Sequence, residues 1–281
     1  MKKYFLTKII ILFSLITQAQ ITVPDRKDLD NFLKTTLLVV YDKNPMSEYN
    51  FKIKEAIEKF WKITPYKFIK PNEIEKYRKI PKFSFLTIDK VFFEKDKTKA
   101  HYEFFSISLG GNYRTFKNMP QITNIPLSYY GVDEETYSFK IPVLIKFMQN
   151  HILNLIKHPE INKMNVKSFY TKQISQIHNK TLYLAKEEMS PLCDTEKEIK
   201  KLYPYPFKLV SRDELEKAID SGKDIIFFHK VGPEGTKRKA RCWKVVFDNL
   251  NANMFYFDYH MIDKKHPDGI LPSDLKKLGK K

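Results

Sequence analysis

The chain has 281 residues, of which 42% are hydrophobic and 14% aromatic, with only eight glycines. That excludes a disordered or low-complexity polymer and leaves room for two domains of about 100 to 130 residues, each expected to bury its own core. The formal net charge is +17, yet only six of the fifty basic residues are arginine; a diffuse lysine excess lacks the bidentate donors that read bases and phosphates, so no nucleic-acid partner is expected. It does permit loose attraction to an anionic envelope polymer or lipid surface.

Residues 1–19 read as a secretory signal peptide. Lys2, Lys3 and Lys8 precede the apolar run Ile9–Ile16, too short to span a bilayer, and Thr17-Gln18-Ala19 forms a small-residue cleavage pattern. Cleavage after Ala19 leaves Gln20 as the mature N-terminus and lowers the net charge from +17 to +14 by removing those three lysines. No cysteine stands near the cleavage site to carry a lipid. The later apolar stretch Ile141–Ile156 is interrupted by Lys146, Gln149, Asn150, His151 and Asn154. An exported chain, periplasmic or extracellular and not integral to the membrane, is expected.

From Pro24 onward the elements follow in order. A short helix is expected through Leu29, Phe32 and Leu33, with Asp25 as its cap, and Thr35–Tyr41 is a continuous apolar run of strand length. Glu48–Trp61 places Phe51, Ile53, Ala56, Ile57, Phe60 and Trp61 at helical spacings. Strands follow at Tyr66–Ile69, Phe83–Ile88, Tyr102–Leu109 and Ile122–Tyr130, with a helix over Asn72–Lys79 and another over Pro142–Ile156. The charged turn Glu94–Lys99 is expected to be an exposed hairpin end. Residues 158–179, polar and without clear period, read as a linker between a first domain (20–157) and a second (180–281).

The second half repeats the first. Thr64–Lys76 (T-P-Y-K-F-I-K-P-N-E-I-E-K) aligns at an offset of 141 with Tyr205–Lys217 (Y-P-F-K-L-V-S-R-D-E-L-E-K). Pro65/Pro206, Lys67/Lys208, Glu73/Glu214, Glu75/Glu216 and Lys76/Lys217 are identical. The pattern is an apolar strand, a polar residue able to cap a helix, and acidic residues in the first helical turn. Around it lie strands at Thr181–Ala185, Asp224–His229, Cys242–Phe247 and Met254–Met261, and helices at Thr195–Leu202, Arg212–Ile219 and Ser273–Leu278. The fold class is therefore α/β (α+β): two tandem β-α-β-α-β-β-β-α repeats, each a mixed sheet packed by helices.

This element order resembles the small α/β domain at the N-terminus of TolB, also seen in curli-export CsgG-type and penicillin-binding-protein-activator LpoB-type envelope proteins. The signal sequence and lysine-rich, aromatic-rich chain also look like exported proteins of Bacteroidetes-type bacteria. The resemblance implies a non-catalytic envelope domain that binds other proteins or wall components. It carries over no residue role.

Candidate chemistry concentrates in Phe255–Asp268. Alternation puts Tyr256, Asp258 and His260 on one strand face, and Asp258 and His260 with His229 on a neighbouring strand could form an N/O metal site or serve a hydrolase. No H-E-x-x-H motif, nucleophile elbow, phosphate loop or dinucleotide fingerprint occurs, and no cofactor is expected. Lys237, Arg238, Lys239 and Arg241 cluster in a hairpin turn that could touch an anionic polymer or simply be solvated. Cys193 and Cys242 could pair in an oxidising compartment or stand as two buried free thiols. Aromatics such as Trp61, Tyr66, Phe68, Phe85 and Phe104 fall where core packing is expected. These readings lead to an exported, non-enzymatic interaction protein of the cell envelope. The alternatives are a metal-dependent or hydrolytic enzyme near His229, Asp258 and His260, and a polymer binder through Lys237–Arg241.

Overall fold

The computed structural model describes residues 21–235 and 239–280. The expected signal peptide, Lys237 and Arg238 lie outside the described residues. The elements are α1 (Arg26–Phe32), β1 (Thr36–Val40), α2 (Glu48–Phe60), β2 (Tyr66–Ile69), α3 (Ile74–Tyr77), β3 (Phe83–Phe92), β4 (His101–Leu109), β5 (Gln121–Tyr129) and α4 (Ile141–Lys157) in the first half. After α5 (Val166–Thr171), the second half holds β6 (Thr181–Ala185), α6 (Glu196–Leu202), β7 (Phe207–Val210), α7 (Arg212–Asp220), β8 (Ile225–Val231), β9 (Arg241–Asp248), β10 (Met254–Met261) and α8 (Pro272–Leu278).

Each half builds a five-stranded mixed sheet, in the orders β2-β1-β3-β4-β5 and β7-β6-β8-β9-β10. The two orders are the same topology. In each, three parallel strands continue into an antiparallel meander. Two of the repeated pairs do the same work in both halves. The carbonyls of Pro65 and Pro206 accept the backbone N–H of Leu37 at 2.8 Å and of Leu182 at 3.0 Å, setting the register of the edge strand. Glu73 and Glu214 accept the backbone N–H of Lys70 and Ser211, each at 2.8 Å, so the same carboxylate caps the same helical start. In the second copy the capping residue is Ser211, which accepts from the Glu214 N–H. Asp25 stands at the start of α1 without a side-chain capping bond.

Two expectations about organisation are corrected. Residues 158–179 are not a bare linker: α5 and a following 3-10 turn bury Val166, Tyr170 and Ile177 against the second sheet. The expected separate cores hold only in part: Leu38, Phe85 and Met119 pack within the first half and Leu184, Phe228 and Val246 within the second, but the largest cluster is shared. One contiguous apolar cluster joins Phe104, Phe105, Phe139 and Phe147 of the first half to Phe227, Trp243, Val245 and Phe247 of the second. Trp243, fully buried, meets Phe93 at 5.9 Å and Phe104 at 6.1 Å between ring centroids, and Phe147 of α4 meets Phe247 at 5.2 Å. A buried aromatic of this size removes roughly 150–250 Å² from water, about 4–6 kcal/mol gross, so parting the halves would be costly.

Ion pairs cross the same seam. Arg241 is clamped by Asp96 at 2.6 and 2.8 Å, and Lys140 pairs with Glu188, both fully or nearly fully buried. The turn Glu94–Lys99 is exposed as expected at Glu94, Lys95, Lys97 and Lys99, while its Asp96, with Phe93 just before it, rests against the second sheet. No helix among the described residues is long and apolar enough to cross a membrane.

Candidate functional site

The residues singled out as a metal or hydrolytic centre do not converge. Paired residues across a ladder share a face; His229 pairs with Val245 and Val245 with Phe257, whereas Lys244 pairs with Asp258 and Cys242 with His260. His229 thus lies on the opposite side of the sheet from Asp258 and His260. It is fully buried at the seam and donates Nε2–H to the Pro126 carbonyl at 2.8 Å. Burial, aided by the nearby Lys140 charge, lowers its pKa to about 3.

His260 and Asp258 share their predicted face with Tyr256, but protein cations occupy them. Lys244 Nζ donates to His260 Nδ1 at 2.7 Å, and His260 Nε2–H donates to the Pro267 carbonyl at 2.9 Å, leaving neither nitrogen for a metal. Burial and then Lys244 lower its pKa to about 4. Asp258 accepts from Lys277 at 2.6 Å and Lys167 at 3.4 Å; burial alone would raise its pKa, and these lysines outweigh it and hold it low. Among the described residues no three His, Cys, Asp or Glu side chains are grouped to hold a metal ion.

Cys193 and Cys242 are both free and fully buried, with their thiols directed at the carbonyls of Ile270 (3.3 Å) and Gly269 (3.7 Å). Burial pushes each thiol up to about 12, which leaves no thiolate for nucleophilic work near neutral pH. In the basic hairpin, Lys239 is exposed, but Arg241 is buried: its guanidinium stacks 3.7 Å from the Phe93 ring centroid while Asp96 holds it. Arg241 is a seam residue and cannot reach a polymer.

In an open α/β sheet, ligands bind beyond the carboxyl ends of the parallel strands. In the second half that place is filled by the chain itself. Glu187, just after β6, accepts the Arg212 backbone N–H on both oxygens at 3.1 and 3.2 Å. Arg212 pairs with Glu234, Glu234 with Lys230, and Lys230 with Asp268 at 2.8 Å. Burial works to lower the Lys230 pKa; Asp268 and Glu234 outweigh it and hold the amine charged.

The first half leaves the equivalent place open. Pro71, which aligns with Arg212 at the repeat offset, has no N–H to offer, and Asp42, two residues past β1 as Glu187 is past β6, accepts the Asn44 N–H within its own loop at 2.7 Å. A cleft of about 700 Å³ lies between the β1–α2 loop, α2 and residues 70–72, floored by Tyr41, Pro45, Phe51 and Pro71. Its loop is pinned by Asn50, whose Oδ1 accepts the Asp42 N–H at 2.7 Å and whose amide donates to the Asn44 carbonyl at 2.8 Å. Tyr41 stacks on Phe68 with centroids 5.1 Å apart and planes 8° apart, and Tyr66 meets Phe68 edge-on at 5.8 Å, so an aromatic row runs from the cleft to the sheet edge. Lys43, Lys54 and Lys70 stand around the rim, and their amines make no hydrogen bond or ion pair among the described residues.

Sequence reasoning assigned Tyr66 to the core, and the structure exposes it at 37%; Phe51, read only as one of the helically spaced residues of α2, is 58% exposed. The cleft itself was missed. Its one sequence signal is Phe51 lying out of step with Ile53, Ala56 and Ile57, the residues of α2 that face the sheet. No family model, curated protein or solved structure matches the chain.

Proposed function

We propose that this chain is an exported, non-enzymatic protein of the cell envelope that acts as an interaction module, with its two α/β units fused into one body. The single observation that carries the reading is the contrast between the halves. His229 and His260 are held by the chain's own groups and Cys193 and Cys242 are buried, whereas the cleft beyond β1 and β2 is apolar and rimmed by lysines that have no partner among the described residues. Apolar floors with a charged rim suit recognition more than bond-making. The export half of the reading rests on the N-terminal lysines, apolar run and small-residue cleavage pattern.

The test is a pull-down from envelope extract with the mature chain beginning at Gln20, at low and high salt, with metal content measured on the same preparation. A protein partner retained at high salt, with no stoichiometric metal, is expected. No partner together with one equivalent of tightly held metal would overturn the reading. Export is checked separately by the mass of the N-terminal peptide, which should begin at Gln20.

A further inference from the structure

We propose that the first-half cleft and the adjoining outer edge of β2 bind an extended acidic peptide segment of the partner. The segment would pair its backbone along β2, seat one large apolar side chain between Tyr41 and Phe51, and place carboxylates on Lys43, Lys54 and Lys70. The proposal deepens the interaction-module reading and rests on it.

Three observations point to this occupant. First, β2 is the edge of its sheet, and its four residues expose Tyr66 and Lys67 to solvent. An edge strand offers a row of main-chain groups that a second backbone satisfies, over about 13 Å for four residues. Second, the cleft begins where β2 ends, at Lys70 and Pro71, so a segment lying along β2 runs into it. Its apolar floor is large enough for an aromatic or branched side chain. Third, the charge is complementary to an acidic ligand. Three lysines without partners ring the cleft, and the one carboxylate in its lining, Asp42, is turned into its own loop, where it accepts the Asn44 N–H at 2.7 Å.

The second half supplies an internal precedent for a carboxylate there. At the equivalent position Glu187 of the chain itself occupies the space and binds Arg212 N–H. The matching residue of the first half, Asp42, turns back to the Asn44 N–H instead, and Pro71 has no N–H to hold it, so the space is left to an outside ligand.

The experiment uses the mature full chain labelled with nitrogen-15. It is titrated with a synthetic decapeptide of alternating glutamate and valine around a central tryptophan, with the same peptide carrying lysine for glutamate, and with free indole-3-acetate as a small anion. The acidic peptide should give saturable shifts confined to residues 41–54 and 66–72, and its affinity should fall at least about tenfold in the Lys43→Glu/Lys54→Glu/Lys70→Glu variant, as three lost surface pairings imply. Phe51→Ser, at an exposed position, should weaken binding without moving the unfolding midpoint. Equal binding of the lysine peptide, shifts elsewhere, no response to the acidic peptide, or a response to indole-3-acetate alone would each overturn the proposal. If wild type and the triple variant retain the same envelope partner equally, the cleft assignment fails while the interaction reading stands. If wild type retains none, the interaction reading is the one that fails.

Discussion

Replacing His229 by Gln should flatten the acid side of the stability curve. His229 and His151 are fully buried and neutral; His229 donates to Pro126, and His151 donates Nε2–H to the Thr22 carbonyl at 2.8 Å and accepts from the Tyr170 hydroxyl at 2.7 Å. Burial lowers their pKa values to about 3 and about 4, against 6.5 in the unfolded chain. A histidine whose folded pKa is depressed contributes stability that is present above pH 6.5 and is lost as pH falls from there toward the folded value. With 1.36 kcal/mol per pH unit, each residue gives up about 2 kcal/mol between pH 7.5 and 5.0, so the pair gives up about 4 kcal/mol. Glu188, Asp89 and Glu103, whose pKa values burial raises, act with the opposite sign, because their protonation favours the folded state as pH falls through the raised values. The difference between wild type and variant cancels them. Gln retains an N–H able to reach Pro126, so the loss of ring packing should cost about 1–2 kcal/mol at pH 7.5. Urea unfolding followed by tryptophan fluorescence at pH 7.5, 6.0 and 5.0 measures it. The stability advantage of wild type over His229→Gln should fall by about 2 kcal/mol across that range, from about 1–2 kcal/mol at pH 7.5 to nothing or a slight reversal at pH 5.0. An advantage constant to within about 0.5 kcal/mol would refute a neutral, desolvated His229 at the seam.

Three further outcomes follow from the same structure. Asp96→Ala leaves Arg241 buried and uncompensated between Phe93 and Tyr259, and should cost about 3–5 kcal/mol; a midpoint in urea that scarcely moves would mean the pair is solvated. The two thiols should be silent to a thiol reagent in the native chain and both react in denaturant; fewer than two in denaturant would reveal a disulfide. Trp61 reports on the first half and Trp243 on the seam, so unfolding of the wild-type chain followed by tryptophan fluorescence and by far-UV circular dichroism should give one coincident transition. Two separate midpoints would show that the halves unfold independently.

Much of the fold was legible because the chain says it twice. The offset of 141 fixes strand, cap and helix in both halves, and the alternation in Met254–Met261 marks a strand with those same ends. Side-chain facing was harder. A one-residue shift in pairing turns a strand over, and nothing in the sequence says whether His229 lies beside His260 or behind it. Arg241 reads as part of a basic turn because its neighbours in sequence are Lys239 and Arg238; its partner, Asp96, is 145 residues away. Its alternation with Trp243, Val245 and Phe247 does place it on the core-facing side, and that signal outweighs the local charge. Residues 158–179 hide their structure because α5 spans six residues, too few to show a period. The cleft is assembled from residues 41–54 and 70–72, and its lysines are indistinguishable in sequence from the many others.

The most direct test of the account places a photo-crosslinking benzoylphenylalanine at position 51 of the mature chain, exposes it to envelope extract, and repeats the experiment with the three rim lysines reversed and with the probe moved to the exposed Leu192. The account predicts one protein crosslinked from position 51, through an acidic segment identified by mass spectrometry, and lost on charge reversal or from position 192. Equal crosslinking from both positions, or from position 51 irrespective of the lysines, would contradict it.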